Sequence, residues 1–453
     1  MERACLFDLE MKYALGLRLD ERPFDHSSLG DFRKRLLKHN KEKMIFERVL
    51  ERLIQDQFIE KGEIQRIDAT HIIADVAIPS MVQLVKKGTF EVLKTLKCQH
   101  KKVYEIIAKE IDLTKYTRET VNQESEGRNN DDKRKKKLVE VVKDARLVLE
   151  YTKDIRKSRR LRKRIELLER ILQQHIEEGE DGIPKEKDHK QKPPDLLVSP
   201  IDEDARYGMK SIKKRFVGYK ANITETTQSR FITNVKVMRG NRHDGETTIE
   251  AVKEQNAFGL RPIKLIGDTA YSRGESRKAL KKCGTQVVAP LGMRNTRTRA
   301  VFPKSMFTYD EKNRTVTCPQ GVTTKESYYD QRHNLTQYTF PMTKCKVCIV
   351  REKCTHSSEG RRVITVSTVH QELLEAEAYN LTEAFRKDMK LRPMIEGTHS
   401  EMKRYHGLIR ARFRGLKKLS LQCYFTALVV NIKRWIKKIM EKTTLKPVFQ
   451  PAF

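Results

Sequence analysis

The stretch Ile263-Lys-Leu-Ile-Gly-Asp268-Thr-Ala-Tyr271-Ser-Arg-Gly274 decides how the chain is read. A short apolar run that stops at Gly-Asp predicts a buried strand ending in an aspartate, followed by a loop. In α/β sheets, functional groups collect at the carboxyl ends of strands. Working outward, residues 275–283 read as a helix and Gln286-Val-Val-Ala-Pro-Leu291 as one more strand. Upstream, His243-Asp244-Gly245 opens an amphipathic helix through Ile249, Val252 and Ala257. Before it, residues 216–223 and 231–237 alternate as strands do, and the polar Glu225-Thr-Thr-Gln228 between them suggests a hairpin.

A second aspartate lies far upstream. Residues 62–79, around Arg66-Ile-Asp68-Ala-Thr70, have the period of a strand, yet strand interiors disfavour aspartate. Asp68 either satisfies a turn at the strand end or aims a carboxylate at a site from the tip of a sheet. Both Asp68 and Asp268 are expected to close strands. A third acidic group sits in Arg392-Pro-Met-Ile-Glu396-Gly-Thr-His399-Ser-Glu401-Met-Lys403-Arg404. On a helix, Arg392, Glu396, His399 and Lys403 share one face. Such a face is either a solvated ion-pair surface or a place to meet a metal and a phosphate. Glu401 is a rival for Glu396, but five residues on it turns to another side. The run that follows is basic, with Arg410, Arg412 and Arg414 alternating with apolar residues.

The 453 residues contain 93 Lys+Arg against 61 Asp+Glu, a net charge of +32. A chain this basic most often meets a polyanion, and nucleic acid is the commonest one. A membrane is the weaker option: the run Tyr424-Phe-Thr-Ala-Leu-Val-Val430 is too short to span a bilayer. With no charged-then-apolar export signal at the start, the expected location is cytoplasmic and nucleoid-associated.

The order of segments predicts five parts. Residues 1–60 form a helical module, either DNA-docking or a cap on the main domain. Residues 61–80 and 200–295 supply the sheet. Residues 81–199 are a basic helical insertion and linker; its apolar stripe through Leu138, Val141, Val142, Ala145, Ile165 and Leu168 reads as a helical hairpin or a dimerising coiled-coil arm. Residues 177–195 are expected to be mobile. Residues 296–375 are a small β insertion with Cys318, Cys345, Cys348 and Cys354, which are either a tetrahedral zinc set or four reduced thiols. Residues 376–453 carry the acidic-basic helix and basic closing helices.

Taken together, Ile67-Asp68-Ala-Thr70, Gly267-Asp268-Thr-Ala-Tyr271 and the Arg392, Glu396, Lys403 spacing resemble the DDE transposases of bacterial insertion sequences. The relevant group carries a Tyr-x2-Arg-x3-Glu-x6-Lys signature; here Met389 stands where that signature has tyrosine. The resemblance implies a ribonuclease-H-like α/β fold, a mixed sheet with helices on both faces. It also implies that Asp68, Asp268 and Glu396 are catalytic and hold two Mg2+ ions. Arg392, Lys403, Arg404, Arg410, Arg412 and Arg414 would grip DNA: the element's terminal inverted repeats and the target. A homodimer is the expected synaptic form. Two other readings stand beside it: a metal-dependent nuclease of the same fold, and an inactive or domesticated DNA-binding descendant.

Overall fold

The computed structural model describes residues 2–76, 79–121, 131–155, 158–211, 214–292, 302–332 and 335–444. Four helices come first: α1 (Glu2–Phe7), α2 (Leu9–Ala14), α3 (His26–Lys38) and α4 (Met44–Gln55). Strand β1 (Gln65–Ile73) follows. Helices α5 (Met81–Gln99), α6 (Lys101–Glu110), α7 (Asp131–Tyr151) and α8 (Arg159–His175) come next, with a small hairpin of β2 (Ile176–Glu178) and β3 (Pro184–Glu186). The chain then returns as β4 (Arg206–Ser211), β5 (Lys214–Thr226) and β6 (Ile232–Arg239). Helices and strands alternate through α9 (Thr248–Ala257), β7 (Lys264–Ile266), α10 (Gly274–Lys282) and β8 (Gln286–Val288). A second excursion holds β9 (Thr308–Asp310), β10 (Thr315–Thr317), β11 (Thr323–Thr324), β12 (Ser327–Asp330), β13 (Leu335–Thr339), α11 (Met342–Lys346), α12 (Arg351–Cys354) and β14 (Val363–Ser367). Helices α13 (His370–Asn380), α14 (Glu383–Met389), α15 (Met394–Arg404) and α16 (Leu416–Thr444) close it.

The main sheet is mixed. One edge of β5 carries β4 and then β6, both antiparallel; its other edge carries β1, also antiparallel; β7 and β8 continue beyond β1 in parallel. The parallel strands are joined through helices, as crossover connections require. One face of the sheet is covered by Phe46, Leu50 and Leu53 of α4 with Leu419, Cys423, Ala427 and Val430 of α16, packed on Tyr219, Ala221 and Ile223. The other face holds Ile67, Leu265 and Val287 under Val252 of α9 and Leu280 of α10. The period-2 alternation of β5 is the cause: Val217, Tyr219, Ala221 and Ile223 turn to the face under α4 and α16, while Asn222 between them faces Asp244 and Tyr271. Helix α4 is thus part of the main core. Where β5 runs closest to β1, Gly218 has φ +155°, and a Cβ there would lie 2.1 Å from the Ile72 carbonyl oxygen. Glycine is what lets the two strands meet.

The first excursion has its own core. Leu138, Val141, Val142, Ala145 and Val148 of α7 and Ile165, Leu168 and Ile171 of α8 are buried against Val85, Val92 and Leu96 of α5. Gly88 is fitted to this packing, since a Cβ there would stand 3.0 Å from the Leu168 side chain. The stripe read as a helical hairpin or a dimerising arm is buried within the chain, where α5 covers it. At the end of the segment expected to be mobile, Asp195 accepts hydrogen bonds from Arg170, Arg206 and Asn241, at 2.7–3.2 Å. These partners hold its carboxyl well below the usual range, Arg206 foremost.

A buried ion pair locks the sheet to its closing helices. Arg66 and Glu225, both wholly buried, meet at 2.5 Å. Glu225 also accepts from Thr398 of α15 at 2.6 Å and Arg434 of α16 at 3.1 Å, and Arg66 donates to the Leu391 carbonyl at 2.9 Å. The polar connector read at residue 225 is therefore a core junction of β1, β5, α15 and α16.

Candidate active site

Asp68 is the fourth residue of the nine-residue β1. Contrary to the expectation that it closes a strand, it lies inside one, because β5 goes on pairing with β1 through Ile73. On the other edge the parallel neighbour does end there. Gln65 pairs with Leu265 and Arg66 with Ile266, so the same offset sets Asp68 across from Asp268, just past β7. The edge of β1 beyond Arg66 is thereby open for a site. Asp268 caps the next turn, accepting from the Ala270 amide at 2.8 Å. Tyr271, buried at the end of that turn, donates to Asn222 Oδ1 at 2.8 Å and fixes the loop to β5. Gly267 makes room for this ring: a Cβ there would be 2.8 Å from Tyr271.

Helix α15 lies against β1 and brings cations. Arg392, in the turn before α15, sets its guanidinium 3.6 Å from Asp68 Oδ1 and 3.7 Å from Asp268 Oδ2. His399 Nδ1 is 3.7 Å from Asp68 Oδ2, and Lys403 Nζ is 3.5 Å from His71 Nδ1. Burial pushes the Asp68 carboxyl up to about 6; Arg392 opposes this, and the charges of Asp268 and Asp244 add to it. Burial, with Lys403 and Arg392 beside it, pulls His399 down to about 3, so the ring is neutral at physiological pH. Its Nε2 is buried without a hydrogen-bond partner. Burial and then Lys210 draw Lys403 down to about 8. The site is a pair of carboxylates bridged by Arg392, with neutral His399 beside Asp68 and Lys403 next to His71. Asp244, held by Lys220 at 2.7 Å, is a further carboxylate at its margin. Neither Asp244 nor Lys210 carries a motif that a sequence reading can use.

Glu396 falls in the first turn of α15 and is exposed. It lies one turn before His399 but does not close on the two aspartates. Among the described residues, no three His, Cys, Asp or Glu side chains are grouped closely enough to hold a metal ion. Electrostatics gives a reason: at 4 Å and an effective dielectric of about 20, each carboxylate pair repels by ~4 kcal/mol. Its rival Glu401 is engaged elsewhere, with Arg434 at 3.0 Å and Lys433 at 3.5 Å. Downstream, Leu408 and Ala411 are buried while Arg404, Arg410, Arg412 and Arg414 are exposed. This segment docks beside the end of β1, the Ala411 amide donating to the Ile73 carbonyl at 2.8 Å. Arg414 also reaches Asp75, at 3.7 Å. Cys318, Cys345, Cys348 and Cys354 lie apart, in the small core around Phe307 and Phe340.

The electrostatics of Asp68 predict a stability change of defined sign. Its pKa is raised on folding from 3.8 to about 6, so the stability tied to its protonated form is full below 3.8 and lost as pH rises through about 6. Asp68→Asn removes that loss. In metal-free protein the variant is expected to melt about 2 °C above the parent near pH 8, and level with it near pH 4. Thermal unfolding in chelator at the two pH values measures this; a variant less stable near pH 8 contradicts it.

No described helix is long and apolar enough to cross a membrane. No curated protein and no solved structure matches the chain. Residues 317–436, which hold the cysteines, Arg392, Glu396 and Lys403 but neither aspartate, match the family model described as a transposase DDE domain, and so support a transposase of the DDE type.

Proposed function

We propose that this chain is a DDE transposase that cleaves the ends of an insertion sequence and joins them to target DNA, with Asp68, Asp268 and Glu396 as its catalytic carboxylates. The observation that carries the reading is the pairing of Asp68 and Asp268 at the open edge of β1, with the Arg392 guanidinium between them. The strand order supports a ribonuclease-H-like core: three antiparallel positions followed by two parallel ones, with helices on both faces.

The donor set fits a divalent cation. Two carboxylate oxygens facing one site suit Mg2+, which takes oxygen ligands and keeps much of its water. Arg392 occupies, as a cation, the place between them. Asp68 and Asp268 would hold Mg2+, with Glu396 brought in from α15; bound there, it would neutralise charge on the scissile phosphate and acidify a water. The chain's own residues do the rest. Arg392 and Lys403 face phosphate oxygens beside the scissile bond. Neutral His399 fills the space behind Asp68 and excludes water. The exposed Arg404, Arg410, Arg412 and Arg414 track the flanking backbone, which makes binding steeply salt-dependent. Water is the first nucleophile and frees a 3′-hydroxyl, which attacks target DNA as the second. A homodimer holding two ends, acting in the cytoplasm at the nucleoid, is the working form.

The test is a strand-transfer assay with the full chain, Mg2+ and labelled DNA carrying the inverted repeats that flank its gene. Joined products with a short target duplication are the expected result. Cleavage without joining favours a nuclease, and neither activity together with tight DNA binding favours a binding protein; each overturns the proposal.

A further inference from the structure

The second excursion presents a site that the transposition chemistry does not use. Its core is small: among the described residues, Phe307, Val316, Tyr338, Phe340, Ile364 and Val366 are its buried apolar side chains. So few residues rarely order a segment of two short three-stranded sheets without a covalent or metal staple. Cys318, Cys345, Cys348 and Cys354 all line one cavity of about 40 Å3, walled by Phe302, Phe307 and Phe340. That volume has room for one ion.

The backbone delivers the four thiols from two turns and the end of a short helix. Cys318-Pro-Gln-Gly321 closes a turn in which the Gly321 amide donates to the Cys318 carbonyl at 2.9 Å, with Gly321 at φ +79°. Cys345 and Cys348 flank the end of α11, the Cys348 amide donating to the Cys345 carbonyl at 3.3 Å, and Cys354 ends α12. Arg362 bounds the same cavity. It donates to the Cys354 carbonyl at 2.9 Å and the Phe302 carbonyl at 3.0 Å, and it stacks 5.4 Å from the Phe307 ring centre. Its buried Nε has no acceptor. A guanidinium with a spare donor, facing four thiols, is placed to meet negative charge.

We propose that these four cysteines bind one zinc ion that staples the segment. Zn2+ displaces the four thiol protons and leaves a tetrathiolate of net charge −2, which the Arg362 guanidinium offsets in part. The thiols surround the cavity without yet converging on one point. Each sulfur turns on a single χ1 bond, and rotation about it is the movement that draws the thiols toward a shared ion. The site is remote from the chemistry of Asp68, and its metal differs in kind: thiolate donors select zinc, carboxylates magnesium.

The experiment measures zinc by plasma mass spectrometry on the full chain after gel filtration, in the parent, in Cys345→Ser/Cys348→Ser and in Asp68→Asn. The parent and Asp68→Asn are expected to carry about one zinc per chain, and the double variant at least about tenfold less. Cobalt exchanged into the parent is expected to give an intense thiolate-to-metal band, a readout that needs no variant to fold. A reduced parent without zinc or cobalt, a cobalt form lacking the thiolate band, or a double variant that keeps its zinc overturns the proposal. None of these results bears on the DDE reading, which the strand-transfer assay tests by itself.

Discussion

Asp68→Asn is expected to lower cleavage of element-end DNA by at least about 10³-fold while leaving DNA affinity within about twofold. The substitution keeps shape and removes one negative charge from the open edge of β1, where Asp268 and Arg392 meet it. Binding survives because the exposed Arg404, at the end of α15, and Arg410, Arg412 and Arg414, on the segment after it, are untouched. Asp268→Asn and Glu396→Gln are expected to behave alike. Glu401→Gln is not: Glu401 is held by Arg434 and Lys433, so its loss is expected to lower stability more than turnover. Single-turnover cleavage and gel-shift titration, run side by side, separate these outcomes. An Asp68→Asn protein that cuts at the parent rate removes Asp68 from the chemistry.

Glu225→Gln carries the largest expected stability loss, about 3–5 kcal/mol, read from the denaturant midpoint. The carboxylate is wholly buried and is shared by Arg66, Arg434 and Thr398. Neutralising it leaves two guanidinium groups facing one another in the interior, and unpaired buried charge is what makes such losses large. Arg66→Met together with Glu225→Gln is expected to recover part of the loss, because an apolar side chain then fills the place of the charge. A midpoint unchanged in Glu225→Gln contradicts the junction assigned to it. The loss also bears on function, since the same network positions α15 against β1 through Thr398 and the Leu391 carbonyl.

Much of the sheet was legible because its strands announce themselves locally. The alternation of residues 216–223, the apolar run before Gly267-Asp268 and the helix through Glu396, His399 and Lys403 all appear, although Arg392 lies in the turn before that helix. The strand order explains what no local signal carries. That Asp68 faces Asp268 depends on a register between segments about 200 residues apart, and pairing at that separation leaves no periodic trace. Glu225 looked like a turn residue because its partner Arg66 is equally remote. The stripe of α7 and α8 has the pattern of a coiled coil, but periodicity states that a face is buried, not against what; α5 covers it. The basic run after α15 was legible in charge and not in path, since its anchor is a pair of backbone hydrogen bonds to Ile73.

The central claim is that Asp68, Asp268 and Glu396 act on one set of divalent ions. Mn2+ binding followed by electron paramagnetic resonance, on the full chain with a DNA duplex bearing the element end, tests it most directly. Bound Mn2+ is expected to be lost in Asp68→Asn, in Asp268→Asn and in Glu396→Gln, and kept in Glu401→Gln. Undiminished Mn2+ in Glu396→Gln, with loss in Glu401→Gln, would contradict it.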